Sequence, residues 1–255
     1  MFNQKEINFY SIIPEVADIA PIIPARELKP KWFKKSQDDF AKISKRKDFG
    51  KHKFTHTAKC PGIFNLLRYG WIMTAWQDIV IKTNGDGKSF EWRTPMSQVN
   101  ILNGELVGEE VDYHSEHHYY NFAKDDWDNS MKIILKINTP WRCIVPKGYY
   151  LLEGPVPYTD ETKFTTLPGF FSDEYGTAQM NVQLKWHMLN DEVLIKAGTP
   201  IAHYMLVPKD EMKMKVTKAT DKQIYKESVL VFEKNKRFVT DKGKSKCIFA
   251  RMFKK

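Results

Sequence analysis

Residues 195–208, which read IKAGTPIAHYMLVP, decide the fold prediction, because residues 200–207 within them form an apolar strand-like run. Residues 180–186 alternate apolar and polar side chains with a period of two, the pattern of a half-buried strand. Earlier strand-like runs occupy residues 131–137 and 141–145. Short strands separated by glycine and proline turns predict an antiparallel barrel or sandwich.

The rest of the chain predicts additions to this β region. Residues 1–30 contain four prolines and several isoleucines, which predicts an extended arm that buries its apolar side chains on this subunit or a neighbouring one. Residues 31–46 and 220–233 predict helices, and Asn84-Gly85 predicts a hairpin. The predicted division is an arm and helix in 1–57, a β-rich domain in 58–208, and a helix with a basic tail in 209–255.

Composition excludes several classes of protein. The chain has 255 residues, a mean hydropathy of -0.50, and no apolar run long enough to span a bilayer, so no membrane partner is expected. No signal-peptide pattern opens the sequence, and three widely spaced cysteines indicate reduced thiols. Of the formal charge of +9, residues 234–255 carry nine Lys/Arg against one acid, which is 9 − 1 = +8. The basicity therefore belongs to the tail.

Three stretches resemble the trimeric dUTPase and dCTP-deaminase superfamily, which has a β-clip fold. Residues 145–149 (VPKGY) resemble its Pro-x-Gly-Tyr motif, and residues 169–176 (GFFSDEYG) resemble Gly-x-Ile-Asp-x-x-Tyr-x-Gly. Residues 195–208 resemble the closing strand. The resemblance implies a mainly β fold, a dUTPase-like β-clip antiparallel barrel, to which the rest of the sequence adds an N-terminal arm, helical additions and a basic C-terminal tail. It also implies a homo-oligomer, expected to be a trimer.

The family's catalytic residues are only partly matched. Ser172 stands where the resemblance implies the Asp that positions the attacking water, and in an extended strand the adjacent Asp173 points to the other face. Tyr175 matches the tyrosine that stacks under the deoxyribose, and His203 replaces a glutamine. We treat Ser172, Asp173, Tyr175 and His203 as candidates for a ligand cleft and assign no catalytic residue.

The phosphate-binding parts of the family are also missing. Its Arg-Ser-Gly loop corresponds to residues 155–158 (PVPY), and two prolines there lack the N–H groups that cradle phosphates. Its glycine-rich lid corresponds to residues 242–246 (KGKSK). The sequence therefore favours a protein without this catalysis.

Two histidine clusters suggest divalent metal sites. His114, His117 and His118 lie close to Asp112, and imidazole and carboxylate groups are common metal ligands. The alternative is a polar surface loop. His52, His56 and Cys60 form a second such pattern, with a solvated basic segment as its alternative. His187 and His203 are interpreted as hydrogen-bonded residues of the barrel.

The basic tail mixes aromatic and charged residues. Its candidate partner-binding residues are Lys242, Lys244, Lys246, Phe249, Arg251 and Phe253. The mixture favours docking on an acidic, partly apolar protein surface or binding of nucleic acid, and a solvated tail is the alternative.

The whole chain also resembles an uncharacterised family of tailed phages of marine cyanobacteria, through residues 58–67 (AKCPGIFNLL) and 139–142 (TPWR). This implies a viral protein in the host cytoplasm or the virion. The predicted function is non-catalytic binding or assembly. The protein would act together with other virion or phage proteins, either as a structural component of the virion or outside it. The alternatives are a divergent nucleotide-handling enzyme, related to pyrophosphatases or deaminases, and a metal-dependent enzyme using residues 112–118.

Overall fold

A computed structural model describes residues 6–45, 57–98, 108–114, 127 and 129–227. The strands in these ranges are β1 (Asn8–Ser11), β2 (Ile23–Pro24), β3 (Trp71–Thr74), β4 (Ile79–Thr83), β5 (Phe90–Arg93), β6 (Val111–His114), β7 (Ile134–Ile137), β8 (Trp141–Ile144), β9 (Tyr149–Gly154), β10 (Phe164–Thr166), β11 (Gly169–Ser172), β12 (Thr177–Gln179), β13 (Val182–Trp186), β14 (Glu192–Ile195) and β15 (Pro200–Pro208). The α-helices are α1 (Pro14–Ile19), α2 (Lys31–Ser44) and α3 (Pro61–Leu66), and residues 221–227 are also helical.

The strands form four sheets, and the strand pairs of the described residues are antiparallel. Their orders are β1-β8-β12, β10-β13-β7-β6, β11-β9-β15-β3-β2 and β14-β4-β5. This confirms the mainly β, antiparallel fold with helical additions. The sequence analysis predicted a barrel. Within the described ranges the strands instead form four short sheets, and none of these sheets closes into a ring. One break lies between β7 and β8, where Pro140 has no N–H for a ladder.

One apolar cluster joins these sheets. Alternate residues of the strands point into it, as Trp141 and Cys143 of β8 show, because side chains of a strand alternate between its two faces. Val182, Leu184 and Trp186 of β13 are completely buried, which confirms the period-two pattern of this strand. A smaller cluster of Ala25, Ile72 and Val156 lies outside the main one.

The N-terminal arm packs on its own chain. Strand β1 pairs with β8, and the Ile12 N–H donates to the Pro140 carbonyl at 2.9 Å. Ile13 and Val16 are buried in the main cluster. Ile13 and Val16 therefore find their surface within the same subunit, whereas Ile19 is 65% exposed.

The chain divides into two compact units. Residues 1–28 and 65–210 form one unit, and residues 29–64 and 211–255 form the other. The first holds all the strands. The second holds α2, in which the rings of Trp32 and Phe33 meet edge to face at 5.4 Å. The helix predicted for residues 31–46 is confirmed, and so is the hairpin, which joins β4 to β5. No described helix is both long enough and apolar enough to cross a membrane.

Strand β15 is a central strand with partners on both sides. Its pairs with β9 run from His203↔Gly154 to Pro208↔Tyr149, and on its other edge it pairs with β3. Gly70, in the turn before β3, has φ +83°, and a Cβ placed there would lie 2.0 Å from the Tyr204 carbonyl oxygen. Only glycine fits this approach of the turn to β15.

We predict that Gly70→Ala lowers the free energy of unfolding by about 3 kcal/mol or more, because the methyl group collides with fixed backbone of the sheet. Gly198→Ala is the matched control: Gly198 has φ +82° but nothing within 4 Å of its Cβ position. The control should cost only the left-handed backbone penalty of about 1–2 kcal/mol. Urea denaturation of both variants measures the difference, and equal losses would contradict the close approach.

Candidate functional site

Ser172 and Asp173 lie at one end of the five-stranded sheet. Ser172 ends β11 and is paired with Tyr150 near the start of β9, and Tyr149 is paired with Pro208 at the end of β15. The residue that follows β15, Lys209, donates its backbone N–H to the Gly148 carbonyl at 2.9 Å. Three chain segments therefore meet at this end.

The Lys209 side chain joins these segments. Its ammonium donates to Ser172 Oγ at 2.9 Å, to Glu174 Oε1 at 2.9 Å, and to Asp173 Oδ1 in a short ion pair. It also lies 4.7 Å from the centre of the Tyr150 ring. The hydrogen bonds to Asp173 and Glu174 raise the pKa of Lys209, which stays charged. We call Ser172, Asp173, Glu174 and Lys209, with the Gly148 amide, the lysine clasp.

The carboxylate of Asp173 is committed to the clasp. Its Oδ1 accepts from Lys209, and its Oδ2 accepts the Gly148 N–H at 3.3 Å. The hydrogen bond from Lys209 is the largest cause that lowers the pKa of Asp173. A carboxylate held in this way is a weakened base, because its charged form is stabilised.

The expectation that Ser172 and Asp173 face opposite sides is wrong. Ser172 is the N-cap of a 3-10 turn over Asp173–Tyr175, and its Oγ accepts the Glu174 N–H at 3.3 Å. The strand ends at this cap, so the period-two alternation ends with it, and both side chains reach Lys209. Tyr175 closes the turn before Gly176.

His203 is separate from the clasp. On β15 it lies four residues from Val207, which is level with Ser172, a separation of about 13 Å along the strand. Its Nε2 is 2.6 Å from the Tyr69 carbonyl oxygen, to which it donates, and burial lowers its pKa. His203 is therefore a neutral, hydrogen-bonded residue of the sheet, as the sequence indicated. Within this chain His203 therefore lies apart from Ser172 and Asp173.

The segment corresponding to the phosphate loop borders a small cavity. The cavity has a volume of about 60 Å³ and is lined by Pro155, Val156, Thr166, Pro200 and Ile201 among others. A water molecule occupies about 30 Å³ of liquid volume, so this space is comparable to two waters. Ligand pockets usually measure about 300–1,000 Å³. The cavity is therefore too small for a nucleotide.

The predicted metal cluster is only partly visible. Asp112 and His114 lie on β6, and the Asp112 carboxylate forms an ion pair with Lys136 at 3.0 Å. Desolvation by burial raises the pKa of Asp112. The hydrogen bonds from Lys136 and from the Tyr113 N–H together outweigh this effect, so the pKa is lowered. His117 and His118 lie outside the described residues, so the cluster remains a prediction. Elsewhere in the described ranges no three His, Cys, Asp or Glu side chains form a metal-binding group.

Of the remaining candidate residues, some lie in the described part of the chain and others lie outside it. His187 contacts Ser130 Oγ through Nδ1 at 2.9 Å and Thr165 Oγ1 through Nε2 at 2.8 Å, as expected for a hydrogen-bonded residue. Cys60 and Cys143 are free thiols. His52 and His56 lie outside the described residues. The tail candidates also lie outside them: Lys242, Lys244, Lys246, Phe249, Arg251 and Phe253.

The sequence analysis missed a buried acid in the main unit. Glu153 of β9 is 3% exposed and is paired with Tyr204 of β15, whose hydroxyl donates to Glu153 Oε2 at 2.5 Å. Burial is the main cause that raises the pKa of Glu153 to about 7. Burial, together with the charge of Glu153, raises the pKa of Cys143 to about 12, so this thiol is unreactive. An alternation pattern predicts that residue 153 points inward, but not which partner it meets.

Among known proteins, the comparisons found similarity to solved structures only. No protein-family model matches the chain, and no curated protein is similar to it. A dUTPase of phage 80alpha is 11% identical, with a TM-score of 0.35 over 87% of this chain and 93% of that one. A dUTPase from phage phi11 of S. aureus is 10% identical, with a TM-score of 0.34 over 85% and 99%. A Staphylococcus bacteriophage 80alpha dUTPase with dUpNHpp is 12% identical, with a TM-score of 0.30 over 60% and 77%.

We predict that Glu153 makes stability fall as pH rises. Its pKa is raised from 4.5 to about 7 by folding, so its stabilising effect is complete below 4.5 and is lost as pH rises through 7. The full difference corresponds to about 3 kcal/mol. Glu153→Gln keeps an acceptor for Tyr204 and should remove this dependence. Urea denaturation from pH 5 to 8.5 measures the difference between the two proteins, in which the histidine contributions cancel.

The control for this comparison is Glu192→Gln. Glu192 is exposed, and its hydrogen bond with Arg93 lowers its pKa, so this variant should parallel the wild type between pH 6 and 8.5. Parallel curves for Glu153→Gln and the wild type would show that Glu153 is not titrated in this range.

We predict that Lys209→Met lowers the thermal midpoint, because it leaves the Asp173 carboxylate without its cation at the end of the sheet. Asp173→Asn should lower it too, and the double variant should lose less than the sum of the two. Lys213→Met, at an exposed lysine after β15, is the control and should change nothing. Additive effects of the two clasp substitutions would contradict a direct interaction.

Proposed function

We propose that the chain is a non-catalytic, dUTPase-like β-clip protein that acts in binding or assembly. The observation that carries this proposal is the lysine clasp: the carboxylate next to the position of the family's catalytic Asp is held by Lys209 and the Gly148 amide. The sequence motifs supply the likeness to the family, and the contacts of the clasp supply the argument against its chemistry.

A general base needs a free lone pair and a suitable pKa. Asp173 uses both carboxylate oxygens within the clasp, and the hydrogen bond from Lys209 lowers its pKa. Ser172 is 5% exposed, and its hydroxyl accepts from Lys209 and from the Glu174 N–H. Asp173 is therefore a weakened base, and the Ser172 hydroxyl is no general base at neutral pH. The groups that would start hydrolysis instead hold three chain segments together.

Substrate binding is disfavoured as well. Triphosphates are held by successive backbone N–H groups, and Pro155 and Pro157 have none. The cavity beside this segment, about 60 Å³, is too small for a nucleotide. These features support a protein that has kept the sheet and lost the phosphate site.

The proposal includes partners and location. We propose a homo-oligomer, expected to be a trimer, that associates with other virion or phage proteins in the host cytoplasm or the virion. The tail of residues 236–255 is proposed to contact an acidic protein surface or nucleic acid, because its charge density favours both. A divalent metal at residues 112–118 would instead favour the metal-dependent enzyme.

The direct test is an assay of pyrophosphate and ammonia release with each common deoxynucleoside triphosphate and Mg²⁺. We predict no turnover by the wild type, since a missing general base typically costs about 10²–10⁴-fold and the phosphate site is missing too. Ser172→Asp should create none, because the clasp and the two prolines remain. Turnover that Asp173→Ala abolishes would overturn the proposal and restore the nucleotide-handling enzyme.

The same preparation tests the assembly part of the proposal. Sedimentation at micromolar concentration should give the mass of a trimer, three times 29.9 kDa. A monomer would contradict the assembly part, whatever the assay shows.

A further inference from the structure

The three-stranded sheet β1-β8-β12 has one face in the main cluster and one face outside it. Phe9, Cys143 and Ala178, aligned across the three strands, all belong to the main cluster. Because side chains alternate, the residues on either side of this row point outward. One outward row is Tyr10–Arg142–Gln179, and the next one holds Ile144, which is 45% exposed.

Arg142 is a buried cation without a carboxylate. It is 9% exposed, and its Nη1 donates to the carbonyl oxygens of Thr139 at 3.1 Å and Trp141 at 3.0 Å. No ion pair joins it to an acid in the described part of the chain, and desolvation lowers its pKa. A guanidinium has five N–H groups, so Nε and Nη2 remain for another acceptor. These two nitrogens form the edge that binds carboxylate or phosphate in bidentate fashion.

A second unpaired donor lies beside it. Gln179 is the direct neighbour of Arg142 on β12, and its Nε2 is buried without a hydrogen-bond partner among the described residues. Leaving a buried donor unpaired costs about 1–3 kcal/mol, and an unpaired buried charge costs more. On the other side of Arg142, Tyr10 of β1 places a phenol in the same row. The row therefore contains hydrogen-bond donors and a positive charge, but no acid.

We propose that Arg142, Gln179 and Tyr10 form an oxyanion-binding site on the outward face of this sheet. The ligand is a single carboxylate or phosphate group, which would pair with the free edge of Arg142 and accept from Gln179. The group comes from a free anion or from a carboxylate of a second copy of this chain. This site goes beyond the proposed function, because it is separate from the lysine clasp and needs none of its residues.

The size of the opening supports a single group rather than an extended ligand. Arg142 exposes only 9% of its surface, whereas Ile144 beside it exposes 45%. A single carboxylate or phosphate group fits such a site. The rest of the molecule that carries this group would lie over the row that holds Ile144. Arg142→Met removes this charge together with the two hydrogen bonds that Nη1 donates to Thr139 and Trp141. The thermal midpoint of each variant is therefore compared with its own value in chloride.

The test measures thermal midpoints in chloride, with inorganic phosphate or acetate added at constant ionic strength. The wild type should rise by about 3 °C at about ten times the dissociation constant. Arg142→Met should lose this rise, and Gln179→Leu should reduce it without removing the cation. Arg93→Met is the matched control, because Arg93 is exposed and paired with Glu192 at 2.6 Å, and it should keep the full rise.

A second measurement identifies the source of the group. Sedimentation of the wild type and Arg142→Met at equal concentration should give the same mass if the ligand is a free anion. A lower mass for the variant, reproduced by added phosphate in the wild type, assigns the ligand to a second copy. If neither anion raises the midpoint of the wild type and the masses agree, the proposal is overturned. If Arg142→Met fails to fold, Gln179→Leu decides by the same two measurements.

Discussion

The hydrogen bonding of β15 on both edges is the constraint on which the main unit depends. This strand pairs with β9 on one side and β3 on the other, and its residues supply Tyr204 to the buried acid and His203 to the Tyr69 carbonyl. The turn at Gly70 touches the same strand. Positions that are distant in sequence therefore depend on one ladder, and a change in its register would disturb them all.

The proposed lack of catalysis is connected with how one end of this sheet is stabilised. Ionised side chains at strand ends need partners, and Lys209 supplies a cation to Asp173 and Glu174 together. Under this proposal, the same pairing engages the carboxylate next to the position at which the sequence motif expects the catalytic acid. An ion pair of this kind stabilises the end of the sheet and weakens Asp173 as a base.

Much of the fold was predictable, because periodic apolar patterns report burial. The run at residues 200–207 became β15, and the alternation at 180–186 became β13. The strand β1 was missed, since it lies in a proline-rich segment whose pairing with β8 spans more than 130 residues. Local pattern carries no information about such a partner.

The candidate site was predictable only in its components. Sequence motifs identified Ser172 and Asp173, but the contact with Lys209 crosses 36 residues and depends on strand register. The sequence indicated Asp112 as a metal ligand but did not indicate its ion pair with Lys136 on the neighbouring strand. The lack of an ion pair at Arg142 among the described residues is likewise invisible in sequence, because it depends on which side chains the fold brings near this position.

The position of β15 also determines how the chain responds to force. An unfoldase that pulls from the C-terminal side must first detach residues 211–255 from their own unit. If it then pulls along the axis of β15, it meets Lys209 and must break the side-chain contacts of this residue. Beyond it, six pairs with β9 and four with β3 are loaded in shear at the same time, rather than opened one by one. The sheet is therefore a mechanical stop for pulling from this end. Degradation from this end would release a fragment that ends near residue 209.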